Sequence, residues 1–181
     1  AKSDNLLLGG GLANTLLKAA GIEVGKSLVE EGMLAEAKKL SAQRDGKLKL
    51  PVDAVVAREG SEEALSRIAD INDIKPEEAI FDIGPETIKE YAEIIMCAKT
   101  VIWNGPVGMF EKTKFASGTN SMALAVAENE QQTIIGGGET LEAVSKLALT
   151  DRVSFVSTGG GAMLEFIEKG DLPALKVLRK N

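Results

Sequence analysis

Three times along this chain a short apolar run passes into three consecutive glycines and then into a stretch with helical spacing. Leu6-Leu7-Leu8 leads into Gly9-Gly10-Gly11, Thr133-Ile134-Ile135 into Gly136-Gly137-Gly138, and Phe155-Val156-Ser157-Thr158 into Gly159-Gly160-Gly161. With 19 glycines in 181 residues, random placement gives roughly 0.2 such triples per chain, so three of them demand a common cause. Glycine admits positive φ and lets bare backbone approach a ligand, while a helix start presents unpaired N–H groups and partial positive charge. Turns built this way bind phosphate well. They also allow tight packing of strand on helix, a reading that any single turn leaves open and that three together weaken.

The rest of the chain keeps the same rhythm. Strands are predicted at 6–8, 52–57, 100–103, 133–135 and 153–156. Helices are predicted at 12–20, 34–43, 86–96, 120–129, 140–149, 163–168 and 172–179, with a weaker helical signal at 62–68. Residues 41–49 are predicted as a loop. Several strands are β-branched and apolar on both faces, as strands buried in a parallel sheet are. In helix 86–96, Ile88, Tyr91, Ala92, Ile95 and Met96 share one face, and Pro85 sits where a missing N–H costs least. The alternation predicts an α/β fold: a doubly wound, mainly parallel sheet with helices on both faces, a Rossmann-like three-layer domain spanning residues 1–181. In such a sheet the turns after the strands lie beyond their carboxyl ends, so turns distant in sequence line one crevice.

Composition removes other possibilities. The chain has no histidine and one cysteine, Cys97, so zinc sites of the usual Cys/His kind, His-based triads and an internal disulfide are excluded. Any metal must be held by oxygen. A net charge of −6 argues against a nucleic-acid surface. No apolar run is long enough to span a membrane and the start lacks a signal-peptide core, so a cytoplasmic location without membrane partners is expected. The chain opens at Ala1 rather than Met, which leads us to expect further sequence before it.

Other motifs fail on inspection. Gly21 to Ser27 resembles a P-loop but has three residues between its glycines where four are needed, and it follows a helix; it reads as a connection. None of the triple-glycine turns completes the dinucleotide fingerprint, since Asn14, Leu141 and Leu164 stand at the third-glycine positions.

Together with Asp82-Ile83-Gly84-Pro85 and the run from Trp103-Asn104-Gly105-Pro106 to Phe110-Glu111, the three turns occur in an order that resembles phosphoglycerate kinase, specifically its nucleotide-binding, carboxy-terminal domain. The resemblance covers essentially the whole chain. It implies reversible phosphoryl transfer from 1,3-bisphosphoglycerate to ADP, giving ATP and 3-phosphoglycerate, with Mg²⁺. On that resemblance Gly9, Gly10 and Gly11 border the adenine together with Phe81. Asn104, Gly105 and Pro106 line the nucleotide cleft, and Glu111 accepts ribose hydroxyls. Gly137, Gly138 and Thr140 meet the nucleotide phosphates. Gly138, Gly160 and Gly161 are the candidates for stabilising the phosphoryl group in flight.

Two departures qualify it. Glu139 stands where the family usually has its magnesium-binding aspartate. It is the metal candidate, with the alternative that it is simply a favourable acid in the first turn of a helix. The resemblance also implies an amino-terminal domain whose basic residues hold the phosphoglycerate, and a strand-helix unit bearing phosphate-binding lysines; this sequence has neither. The expectation is a chain that binds Mg-ADP/ATP but is inactive alone, or else a non-catalytic nucleotide-binding module on the same fold.

Overall fold

The computed structural model describes residues 3–42 and 46–178. Its strands are β1 Leu6–Leu7, β2 Leu48–Lys49, β3 Asp53–Ala57, β4 Ser66–Asp70, β5 Ala79–Ile83, β6 Thr100–Asn104, β7 Gln132–Gly136 and β8 Phe155–Ser157. The helices are α1 Gly10–Ala19, α2 Leu34–Ala42, α3 Pro85–Cys97, α4 Ser117–Glu128, α5 Gly138–Lys146, α6 Gly160–Lys169 and α7 Pro173–Leu178. Of the predicted helices, 34–43 and 172–179 each end on a residue, Gln43 and Arg179, that lies outside the described set. No helix among the described residues is long and apolar enough to cross a membrane.

The α/β expectation of parallel strands flanked by helices holds. β6, β7 and β8 form a parallel sheet in that order, with α4 and α5 as the crossovers, and β1 pairs in parallel with β2. On β7, Thr133 and Ile135 are fully buried, as a central strand requires. Ile135 joins Ile83, Tyr91, Met122, Val126 and Val144 in the main core.

Sequence reading did not anticipate a third, antiparallel sheet, ordered β4-β3-β5. The weak helical signal at 62–68 is corrected by it, because Ser66 onward is strand. Of that strand Ala69 alone is buried, and Arg67 reaches across to Glu78 with two bonds of 2.8 Å. The polar loop at 41–49 likewise ends in a short strand, β2.

Two buried polar side chains join these layers. The Asp53 carboxylate on β3 accepts the N–H groups of Glu86 and Thr87 at 3.0 and 2.8 Å and the Thr87 hydroxyl at 2.7 Å, capping α3 from a neighbouring strand. Gly84, just before the helix, has no room for a Cβ against that carboxylate. On α3 the expected face is turned inward, with Tyr91 and Ile95 buried, although Met96 stays exposed. The Tyr91 hydroxyl lies 2.8 Å from the Leu8 carbonyl and 2.9 Å from that of Lys49. Burial pushes its ionisation well above the usual phenol range, so it remains a donor. Leu8 is the residue before the first glycine triple, and Tyr91 therefore helps to fix where that turn begins.

Asp53→Ala removes three acceptor bonds from the start of α3 and leaves buried donors unpaired. It is expected to lower unfolding free energy by about 2–3 kcal/mol, measured by urea denaturation.

Candidate functional site

The register of the parallel sheet brings Asn104, Gly136 and Ser157 side by side at the carboxyl ends of β6, β7 and β8. Immediately beyond them the second and third glycine turns touch. The Gly137 N–H donates to the Ser157 carbonyl at 3.1 Å. A Cβ on Gly160 would lie 2.8 Å from the Gly137 Cα and 2.9 Å from the Asn104 side-chain nitrogen, and one on Gly136 would collide with Met163. Gly137 has φ +92°, which an L side chain rarely adopts. The absence of side chains is thus what allows the two turns and Asn104 to meet.

The first triple joins them through the loop after β6. Gly10 donates its N–H to the Val107 carbonyl at 3.1 Å, and a Cβ on Gly9 would lie 2.6 Å from that of Val107. At the other end of the loop, Gly105 donates its N–H to the Thr140 hydroxyl at 2.7 Å, tying the loop to α5. The Trp103 indole N–H donates to the Gly105 carbonyl at 2.8 Å, so this side chain braces the turn. The Met109 N–H meets the Phe81 carbonyl at 2.7 Å, and the Phe81 ring stacks on Phe115 with centroids 4.9 Å apart.

These contacts place the sequence-selected residues. Gly9, Gly10, Gly105, Pro106, Gly137 and Gly160 lie along the connected turns, half-buried, and Asn104, Gly138, Glu139 and Gly161 are exposed beside them. Glu111 is exposed at the far end of the loop, and Phe81 lies half-buried beneath it. Of the backbone and hydroxyl contacts expected of Thr140, the hydroxyl is taken by Gly105, and the residue is fully buried. The Gly21 to Ser27 segment is a connection as expected, with Lys26 donating its N–H to the Glu78 carbonyl at 2.7 Å.

Electrostatically, the first turns of α1, α5 and α6 begin at Gly10, Gly138 and Gly160 and carry the partial positive charge of helix starts, although the Gly10 N–H is already taken by Val107. Only α5 has an acid in its first turn, Glu139. Among the described residues no group of three or more His, Cys, Asp or Glu side chains forms a metal cage. Beside Gly11 an apolar groove of about 440 Å³ runs between α1 and α2, lined by Leu12, Leu28, Val29, Met33 and Leu40. Leu28, which follows the Gly21 to Ser27 connection, is 77% exposed there. An apolar slot, a ring of backbone donors and one free carboxylate suit a ligand with a flat apolar end and an anionic end.

Comparison with known proteins bears on the same residues. The family model described as phosphoglycerate kinase matches residues 1–170. A phosphoglycerate kinase of Nitratidesulfovibrio vulgaris (strain DSM 19637 / Miyazaki F) is 46% identical across 99% of this chain and 46% of its own length. Among solved structures, phosphoglycerate kinase from Coxiella burnetii superposes with a TM-score of 0.90 at 48% identity, covering 97% of this chain and 46% of that one. Phosphoglycerate kinase from Pyrococcus horikoshii OT3 gives 0.83 at 31% identity, covering 98% and 45%. The chain thus spans about half the length of the relatives it matches.

The glycine contacts separate two neighbouring substitutions. Gly160→Ala places a methyl against the Gly137 backbone and is expected to lower unfolding free energy by about 1–3 kcal/mol, whereas Gly161→Ala meets open space and is expected to be neutral or slightly stabilising. Thermal unfolding of the two variants side by side checks the contrast.

Proposed function

The chain belongs to the phosphoglycerate kinase family, and from that premise we propose that residues 1–181 form the nucleotide-binding domain of an enzyme that moves a phosphoryl group reversibly between 1,3-bisphosphoglycerate and ADP. The products in the forward direction are ATP and 3-phosphoglycerate. The observation that carries this reading is the meeting of three glycine turns at one loop: Gly160 against Gly137, Asn104 beside both, and Gly10 bonded to Val107. In this reading the adenine enters the apolar groove beside Gly9 to Gly11, and Glu111 accepts ribose hydroxyls. Of the N–H groups at Gly137, Gly138 and Thr140, that of Gly138 meets the phosphates, since Gly137 donates to Ser157 and Thr140 is buried. Those of Gly160 and Gly161, with Gly138, face the group being transferred. Phosphoryl transfer asks mainly for positioning and charge stabilisation, and fixed backbone dipoles provide both without reorganising.

Magnesium fits the donor set. The ion is normally bound by one or two carboxylates plus substrate phosphates rather than by an all-protein cage, and Glu139 is a single exposed carboxylate on the first turn of α5. Glu139 would hold it, and the ion would supply charge neutralisation between the phosphates. The phosphoglycerate is assigned to basic residues outside this chain, a division consistent with relatives about twice its length. A cytoplasmic setting, with no nucleic-acid or membrane partner, belongs to the same proposal.

Three measurements test it. Calorimetry with ADP is expected to give binding that strengthens when Mg²⁺ is added; indifference to the ion would favour a non-catalytic nucleotide module. Glu111→Ala is expected to weaken ADP by about tenfold, the worth of one or two hydrogen bonds, and to leave inorganic pyrophosphate unaffected. Equal losses for the two ligands would remove the ribose assignment. In a coupled assay the 181 residues alone are expected to form no ATP above background, and robust turnover would contradict the division of the site.

A further inference from the structure

Asp82 interrupts the apolar run of β5, is 1% exposed, and has its burial opposed by two backbone donors rather than by a cation. One oxygen accepts the Ile83 N–H at 2.9 Å and the other the Gly118 N–H at 2.7 Å. Its carboxyl also fills the space under two glycines, because a Cβ on either Gly108 or Gly118 would collide with it. Gly118 lies in the first turn of α4. The next residue, Thr119, is fully buried and accepts the Val107 N–H at 3.2 Å, and Val107 in turn accepts the N–H of Gly10 at 3.1 Å. An unbroken line of contacts therefore runs from Asp82 through Gly118, Thr119 and Val107 to the first glycine turn.

Resting on the nucleotide reading above, we propose that Asp82 is a positioning residue that sets how the 105–111 loop sits on α4, and through Val107 fixes the first glycine turn relative to the other two. The carboxylate is suited to this because both of its oxygens accept. An amide of the same shape has one acceptor and must turn an NH₂ toward one of the two N–H groups; a protonated acid is deficient in the same way. Burial raises the Asp82 carboxyl to about 7, so the clamp is complete only above that pH. The effect on stability has the opposite sign. The folded chain holds the extra proton between the ordinary value of 3.8 and about 7, so stability falls as pH rises through that window while the clamp tightens.

Charged groups on the elements packed around Asp82 are committed elsewhere or distant. Asp53 on β3 is bonded to Thr87, Arg58 after β3 pairs with Glu77, and Lys18 on α1 pairs with Glu31. In the loop segment Lys114 donates to the Ala64 carbonyl, and neither Glu111 nor Lys112 is among the groups that shift Asp82; Glu128 lies at the far end of α4.

The test is Asp82→Asn in the 181-residue chain, followed by ADP calorimetry from about pH 6 to 8, by amide exchange and by thermal unfolding. The terminal phosphate of ADP itself titrates near about pH 6, so the readout is the difference between parent and variant. The variant is expected to bind ADP roughly three- to thirtyfold more weakly above neutrality, the range for residues acting without ligand contact. Its Gly118 and Val107 amides should exchange faster, its extra pH step should vanish, and its melting temperature at the upper pH should be unchanged or higher. A merely structural role would not separate affinity from stability in this way. Unchanged affinity with unchanged exchange at Gly118 and Val107 overturns the proposal. If the parent chain does not bind ADP, the nucleotide reading falls; faster exchange in the variant then still supports the clamp, and unchanged exchange overturns it. Should Asp82→Asn fail to fold, Thr119→Val, which removes the Val107 acceptor, must weaken ADP while keeping the parent's pH step, and parent-like binding overturns the proposal.

Discussion

At the carboxyl ends of β7 and β8 two stretches of main chain pass so close that a single methyl at Gly160 would press on the Gly137 backbone. Approach of that kind is open only to glycine, and it determines much of what surrounds it. Two helices can begin within reach of one another only because their first residues lack side chains. The Asn104 amide lies against both turns, and β6 is in register to bring it there. Any bulk in the turns would separate the helix starts and dilute the field that makes the place attractive to an anion.

In an acidic chain with no histidine, the proposed anion site needs a source of positive charge. Here it is peptide dipoles rather than lysine heads: the first turns of α1, α5 and α6 face the same loop, and α5 alone carries an acid there. Dipoles of this kind are unaffected by the net charge of −6, which is spread over the surface and screened by salt. Their strength depends on alignment, and so on the polar contacts that hold the loop: Gly105 to Thr140, Val107 to Thr119, and Gly118 to Asp82. The buried carboxyl of Asp82 illustrates the cost of alignment, because the form that accepts both N–H groups is the form that burial disfavours.

What the sequence made legible follows from how local each cause is. A need for bare backbone appears in the sequence as glycine, so all three turns could be read directly, as could the amphipathic helix that became α3. β5 was hidden because Asp82 interrupts its apolar run, and the reason for a charge in a buried strand lies in donors 36 residues away at Gly118. β4 was hidden because it exposes most of its side chains, and its Arg67 answers to Glu78 rather than to periodicity. Thr140 was read as offering backbone or hydroxyl to a ligand; the Gly105 N–H, which takes the hydroxyl, belongs to a different turn. The meeting of the first triple with the other two depends on Val107, an unremarkable valine whose position no local pattern discloses.

The pairing of β1 with β2 is only two residues long on each side, too short for a ladder to hold by itself. Tyr91 supplies the missing anchorage, with one phenolic hydrogen shared between carbonyls that end or follow those strands. Since Leu8 leads straight into Gly9, the first glycine turn hangs from a side chain of α3. A disturbance that rotates α3 by a few degrees would be felt at that turn as well as at β7, whose Ile135 shares a core with Tyr91, making the phenol a fulcrum between the core and the turn.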